Sequence, residues 1–208
     1  MTTWAIVVAG GLGTRFGGAK HKQTLDGVEL WQRSVIAFHA AGIKNVVVVG
    51  DVPGGIPGGS RRRDSVAAGL AAVPHTTDWV LIHDAARPLV TPELIERVLT
   101  RASIGDVDGV ILAIPVTDTL KRVKEETVLA TVDRDGLVAV QTPQAFRVRV
   151  LRAAHSGDTD DATDDAALVE RADGTVVAVM GDPMNLKITI PEDLAIARAY
   201  LATAGGHD

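Results

Sequence analysis

An α/β fold with a mostly parallel sheet, helices on both faces and an inserted β-arm is what this sequence predicts. Three observations carry that expectation. Short β-branched apolar runs recur along the chain, helix-period stretches alternate with the early ones, and the alternation then breaks at a segment rich in turn signals. The 208 residues suit one domain spanning 1–208, with the arm across 116–142.

Taken in order, Trp4–Ala9, Asn45–Gly50, Asp78–Ile82, Gly109–Pro115, Thr175–Met180 and Leu186–Ile190 read as strands buried on both faces. Helical periodicity runs from Leu30 to Ala41, where Gly42 ends it, and from Arg61 to Val73, before Pro74. A third helix covers Pro92–Ala102, with Thr91 as N-cap and proline in the first turn. Thr127–Val132, the turn Asp133-Arg134-Asp135-Gly136 and Leu137–Val140 read as a hairpin, since Asp-Gly is a strong turn signal. Two more helices follow, Arg147–His155 and one after the acidic run 158–165, and Pro191–Ala202 is the last.

Composition excludes several functions. Cysteine is absent, which removes disulfides, thiolate nucleophiles and zinc fingers. A net charge of -5 and 3% aromatic residues argue against nucleic acid, which needs basic surfaces and stacking platforms. The N-terminus has no basic region before its apolar run, and no apolar stretch is long enough to cross a bilayer, so the expected location is cytoplasmic, without a membrane.

In doubly wound sheets ligands bind beyond the carboxyl ends of strands, which directs scrutiny to the residues just after each strand. After the first comes a glycine loop from Ala9 to Gln23. Its bare amides let backbone approach an anion, and Arg15, Lys20 and Lys22 supply charge for triphosphate oxygens. Ala19 stands where a P-loop needs lysine, and Phe16 where a dinucleotide fingerprint needs glycine, so it is neither. A plain turn with solvated lysines is the competing reading. Asp84, within His83-Asp84-Ala85-Ala86-Arg87-Pro88, can hold Mg²⁺, and Arg87 can grip an anion or brace that carboxylate; the alternative is a pair that shapes a tight turn. His83 reads as a packed neighbour rather than a ligand. Gly58–Ser65 opens a helix whose free amides favour anions, or else presents a solvated arginine run. Thr163-Asp164-Asp165 also fits a simple helix cap. Lys187 lies on an otherwise buried strand, so it faces a cleft or guards a sheet edge.

In chain order, the glycine loop with Arg15 and Lys22-Gln23, Arg62-x-Asp64-Ser65-Val66, His83–Pro88, Val132–Leu137, Gln141-Thr142-Pro143-Gln144 and Asn185-x-Lys187-x-Thr189 resemble the 2-C-methyl-D-erythritol 4-phosphate cytidylyltransferase family over nearly the whole chain. The resemblance implies a Rossmann-like nucleotidyltransferase domain acting as a homodimer through its β-arm. It implies that Ala9, Gly10, Gly11, Gly59, Arg62 and Ser65 contact CTP, that Arg15 and Lys22 clamp its phosphates, and that Asp84 helps hold Mg²⁺ or another hard divalent cation. Thr119, Thr142, Lys187 and Arg134, the last reaching into the partner's site, would bind the sugar-alcohol phosphate, with Arg87 and Thr163 shaping that pocket. His21 replaces the family's usual proline, and Asp165 its usual glutamate.

The implied reaction is attack by a phosphate oxygen of the acceptor on the α-phosphorus of CTP, with Arg15, Lys22 and Lys187 stabilising the charge. An ionised phosphate is already nucleophilic, so positioning and electrostatics carry the rate. Two competitors stand beside it: a ribitol 5-phosphate cytidylyltransferase, which the His83–Pro88 and Val132–Leu137 segments fit less well, and a non-catalytic nucleotide-binding protein on the same scaffold.

Overall fold

In the computed structural model, residues 1–10, 23–157 and 162–204 are described. The elements are β1 (Thr3–Val8), β2 (Thr24–Leu25), β3 (Val28–Glu29), α1 (Leu30–Ala40), β4 (Val46–Val49), α2 (Arg62–Ala72), β5 (Trp79–Asp84) and α3 (Pro92–Ser103). Next come β6 (Gly109–Pro115), β7 (Leu120–Lys124), β8 (Thr127–Val132), β9 (Val138–Arg147), α4 (Val148–Gly157), α5 (Asp165–Arg171), β10 (Val176–Met180) and α6 (Asp193–Ala204).

The central sheet has the order β10-β6-β9-β5-β1-β4. Its β4-β1-β5 and β6-β10 pairings are parallel, and β9 runs antiparallel between β5 and β6. Strand alternation divides the apolar residues between two cores. Ala5, Val7, Leu81 and Val110 pack with Phe38 of α1 and Ile95 and Val98 of α3. Ile6, Val8, Val80 and Ile111 face Leu70 of α2, Leu151 of α4 and Leu168 of α5. Each fully buried Ile or Leu contributes about 1.5–3 kcal/mol. Close approach of α2 to β1 depends on Gly69, where a Cβ would stand 2.6 Å from Ile6 Cγ2.

The helices follow their signals. Thr91 Oγ1 accepts from Leu94 N–H, Pro92 opens α3, and Leu94, Ile95, Val98 and Ala102 form its buried stripe. The outer strands β4 and β10 are only half-buried, unlike β1, β5 and β6, because each has one neighbour in the sheet.

Three expectations are corrected. The hairpin is β7 with β8, turning at Glu125-Glu126, and not residues 127–132 with 137–140. The Asp133–Gly136 turn is present, with Gly136 at φ +77° and Leu137 N–H bonded to Arg134 O, but it delivers the chain to the main sheet, where Val138–Val140 pair with β6. Second, Gln141–Arg147 continue that strand as β9. Its pairing with β6 jumps from Ile111–Gln144 to Leu112–Gln141, so Thr142 and Pro143 bulge out of the ladder and the proline needs no partner. Third, 186–190 is no strand. Ile188 N–H reaches Ala86 O at 2.7 Å, and the next two N–H groups go to the Asp193 carboxylate.

Ile188 and Leu89 join Leu25 of β2, Leu30 of α1, and Leu194 and Ala197 of α6 in a third cluster. Among the described residues, no helix is long and apolar enough to cross a membrane.

Candidate active site

The carboxyl ends of β1 and β4 and the start of α2 meet at one edge of the sheet. Ala9 N–H donates to Val49 O at 2.8 Å, and a Cβ on Gly10 would lie 3.7 Å from Ser65 Oγ. Ser65 Oγ accepts from Gly59 N–H at 3.1 Å. Ala9, Gly10, Gly59 and Ser65 are thereby brought together, as the sequence led us to expect. Gly11, Arg15 and Lys22, with Lys20 and His21, lie outside the described residues.

Beside them is a chain of charges. Asp84 ends β5, a strand buried along its whole length. Its Oδ1 receives Arg62 Nε at 2.9 Å and its Oδ2 receives Lys187 Nζ at 2.6 Å. The NH1 of Arg62 continues to Asp165 Oδ2 at 2.7 Å, and Asp165 Oδ1 meets His155 Nε2 at 3.1 Å. Burial alone would raise the Asp84 carboxyl; Arg62 and Lys187 outweigh it and hold the group well below the usual carboxylate range. Asp165 is depressed likewise, burial being opposed by the hydrogen bond from His155 and by Arg62. For Arg62 burial works against the charge, yet the two carboxylates raise its pKa above the ordinary arginine value.

Under Asp84 lies a neutral relay. Burial lowers the His83 imidazole to about pKa 4, so the ring carries one proton at neutral pH. Its Nε2 faces Arg87 O at 3.2 Å, and a carbonyl only accepts, so the proton is on Nε2. Nδ1 therefore accepts from the Thr142 hydroxyl at 3.1 Å, and Thr142 Oγ1 accepts from Asp84 N–H at 3.1 Å. Both hydrogen-bonding roles of this buried hydroxyl face the protein. Thr142 holds Asp84 in place, with no hydroxyl proton left to donate to a phosphate, which departs from the substrate contact that the resemblance implies. His83 is packed, as expected, with its ring edge-on to Phe38.

Arg87 does not brace Asp84 by a side-chain bond. Its NH1 donates to Asn185 O at 2.8 Å and its NH2 to Val140 O at 3.2 Å, tying the 182–190 segment to β9. Asn185 Nδ2 in turn donates to Thr142 O at 2.9 Å. Lys187 reaches Asp84 from this loop and not from a sheet strand, with 45% of its side chain exposed.

These groups line an open cleft of about 390 Å³, in which Arg62, Asp84, Arg87, Thr142, Gln144 and Lys187 are joined by Thr163, Asp164 and Glu170. Asp164 is the α5 cap that the sequence suggested, accepting from Ala167 N–H. It also accepts from Gln144 Nε2 at 2.8 Å. Thr119 and Arg134 do not line this cleft. Both are exposed near the arm base, where Arg134 NH1 donates to Thr117 O beside a separate cavity of about 490 Å³.

Sequence reasoning leaves the part of Asp165 open, names Gln144 within a motif without a role, and passes over His155. A histidine in an ordinary helix gives no local signal, whereas consecutive aspartates before an apolar helix could have been divided into one cap and one buried carboxylate.

Among the described residues no cluster of metal-ligating side chains gathers. The donors nonetheless fit a Mg²⁺ ion held mainly by substrate, because Asp84 is ionised and each of its oxygens keeps a second lone pair beside its cation.

A mostly parallel sheet with glycines at its strand ends, and a cleft lined by Arg62, Arg87 and Lys187 beside Asp84, is the architecture of the nucleotidyltransferases that the chain resembles. The family model described as 2-C-methyl-D-erythritol 4-phosphate cytidylyltransferase, IspD, matches residues 3–203. The chain belongs to that family. It is 42% identical to the enzyme of that name from Rhodococcus jostii, over 98% of this chain and 96% of the relative. To the bifunctional enzyme IspD/IspF of Nitratidesulfovibrio vulgaris it is 41% identical, covering 96% of this chain but 58% of that longer protein. Thus the chain spans little more than half the length of bifunctional relatives. Among solved structures, the Thermus thermophilus 2-C-methyl-D-erythritol 4-phosphate cytidylyltransferase superposes with a TM-score of 0.82 at 32% identity, covering 95% of this chain and 98% of that one.

Proposed function

We propose that this chain is a cytidylyltransferase that joins CTP to 2-C-methyl-D-erythritol 4-phosphate, giving 4-(cytidine 5'-diphospho)-2-C-methyl-D-erythritol and pyrophosphate for isoprenoid precursors. The observation that carries the reading is Asp84 held between Arg62 and Lys187 on the cleft wall, in a chain matched along residues 3–203 by the family model.

An acceptor phosphate oxygen forms a bond to the α-phosphorus of CTP as the bond to the bridging oxygen breaks, and pyrophosphate leaves with that electron pair. No covalent intermediate with the protein is needed. The nucleotide lies against Ala9, Gly10, Gly11, Gly59 and Ser65. Arg62 and Lys187 flank the reacting phosphates, Thr163 lines the same cleft, and the family resemblance gives Arg15 and Lys22 the role of clamping the triphosphate. Fixed cations stabilise the charge spread over the transition state, and the cleft holds two polyanions in line. Mg²⁺, held by Asp84 and by the phosphates, supplies further neutralisation when bound. The Asp84–Thr142–His83 relay keeps the carboxylate in position.

The homodimer and the reach of Arg134 into a partner's site are part of the same proposal. Support comes from the exposed apolar residues of the arm, Val123, Val128 and Leu129, and from the place of Arg134 on a separate cavity and not among its own chain's cleft lining. The proposed location is the cytoplasm.

Pyrophosphate release with Mg²⁺ and CTP tests the function, with methylerythritol 4-phosphate in one reaction and ribitol 5-phosphate in another. Release with the first alone is expected. Release with the second alone would replace the acceptor, and silence in both would favour nucleotide binding without catalysis.

A further inference from the structure

Three helix ends meet through their side chains behind the cleft: Arg62 opens α2, His155 lies in the last turn of α4, and Asp165 opens α5. A guanidinium at a helix N-terminus opposes the helix dipole, so Arg62 is held there by its carboxylates. Asp84 takes its Nε and Asp165 its NH1, which fixes the plane of the guanidinium. The remaining nitrogen, NH2, is buried without a hydrogen-bond partner among the described residues. Arg62 lines the cleft with 25% of its side chain exposed, so the guanidinium as a whole is placed to meet an incoming anion.

Asp165 can aim Arg62 only if its own carboxylate is fixed. One oxygen is on Arg62, and the other is closed by His155 Nε2. Because Asp165 is ionised and only accepts, His155 Nε2 carries the proton and donates it. The imidazole is itself enclosed, with 7% of its side chain exposed, and Arg63 NH2 donates to its main-chain carbonyl at 3.3 Å. Its part in the site runs wholly through Asp165.

We infer that His155 is a positioning residue for the nucleotide, fixing Asp165 so that Arg62 holds its guanidinium on the cleft wall toward a CTP phosphate; the inference rests on the cytidylyltransferase reading of the cleft. Removing the donor leaves Asp165 Oδ1 buried and unpaired, and the carboxylate turns to share both oxygens with Arg62 or draws in water. Either change moves the guanidinium. Affinity for CTP falls about tenfold, while the acceptor, held by Lys187, is little affected.

The experiment compares wild type, His155→Leu and His155→Gln in two measurements: calorimetric titration with CTP in Mg²⁺ buffer, and KM for each substrate by pyrophosphate release. With leucine, CTP binding weakens and CTP KM rises about tenfold, and the acceptor KM stays within about twofold. Glutamine, whose amide replaces the Nε2 donor, returns CTP affinity to within about threefold of wild type. Unchanged CTP binding in the leucine variant overturns the inference, as does glutamine performing no better than leucine, or a loss falling on the acceptor instead. Should the leucine variant not fold, His155→Asn, whose amide is too short to reach Asp165, takes its place. The binding comparison holds even if wild type releases no pyrophosphate, a result that counts against the proposed reaction alone; wild type that does not bind CTP overturns both.

Discussion

Replacing Thr142 with valine removes one hydroxyl and almost no volume, and two buried groups lose their partner at once. Asp84 N–H loses its acceptor and His83 Nδ1 its donor, both at 3.1 Å in the native relay. Each unpaired buried group costs about 1–3 kcal/mol, so about 2–6 kcal/mol in total. For a protein of this length, 1 kcal/mol moves Tm by roughly 2–4 °C, which gives a fall of roughly 4–24 °C. Serine keeps the hydroxyl and should retain most of that stability. Differential scanning calorimetry on the three proteins, with KM for both substrates, separates support of Asp84 from direct contact with substrate. A valine variant melting within about 2 °C of wild type, with acceptor KM raised tenfold or more, would refute the relay and return Thr142 to the substrate.

Three further outcomes are expected. His83 binds a proton less readily when folded, with a pKa near 4 against an ordinary 6.5, so its contribution is complete above pH 6.5 and declines as pH falls toward 4. Urea unfolding at pH 7 and pH 5 should show wild type losing about 2 kcal/mol more than His83→Asn over that interval, and equal losses would mean that the folded ring takes up its proton. Lys187→Ala should lower turnover by about 10²-fold or more with little change in melting, since Asp84 keeps Arg62; turnover near wild type in the pyrophosphate assay would remove Lys187 from the site. Gly69→Ala pushes a methyl into Ile6 and should destabilise by about 1–3 kcal/mol, and an unchanged melting curve would mean that α2 can ride farther from β1.

What the sequence made legible was the part written in local terms. The runs at 4–9, 78–82 and 109–115 are β-branched and apolar because both sheet faces bury them, and Thr91-Pro92 marks a helix start by itself. β9 was illegible because its centre carries Gln141, Thr142, Pro143 and Gln144, and a proline inside a polar run argues against a central strand. Only the bulge against β6 makes that sequence compatible with its place. The Asp133–Gly136 turn was recognised but assigned the wrong partner strand, since turn chemistry says that a chain reverses and not which neighbour it meets. Residues 186–190 alternate like a strand but satisfy their amides through Ala86 and Asp193, a pairing set by distant residues. In the cleft, Asp84, Arg62 and Lys187 could be singled out by type and place, whereas the Thr142–His83 relay and the His155–Asp165 link depend on contacts between segments far apart in the chain.

The middle position of β9 also governs how the protein can be made. When synthesis has reached Pro115, β4, β1 and β5 can already pair, but β5 and β6 are not neighbours, and each bares an unpaired edge toward the gap that β9 will fill. Exposed edges of this kind are templates for pairing with other chains. At about 5–20 residues per second, the stretch from Pro115 to Arg147, which includes the whole β7–β8 hairpin, takes roughly 2–6 s to appear. Through that interval the nascent chain carries the β4-β1-β5 half-sheet with one bare edge and the lone apolar strand β6, whose partners β9 and β10 both lie ahead, and a ribosome stalled inside the arm would release a fragment primed to aggregate.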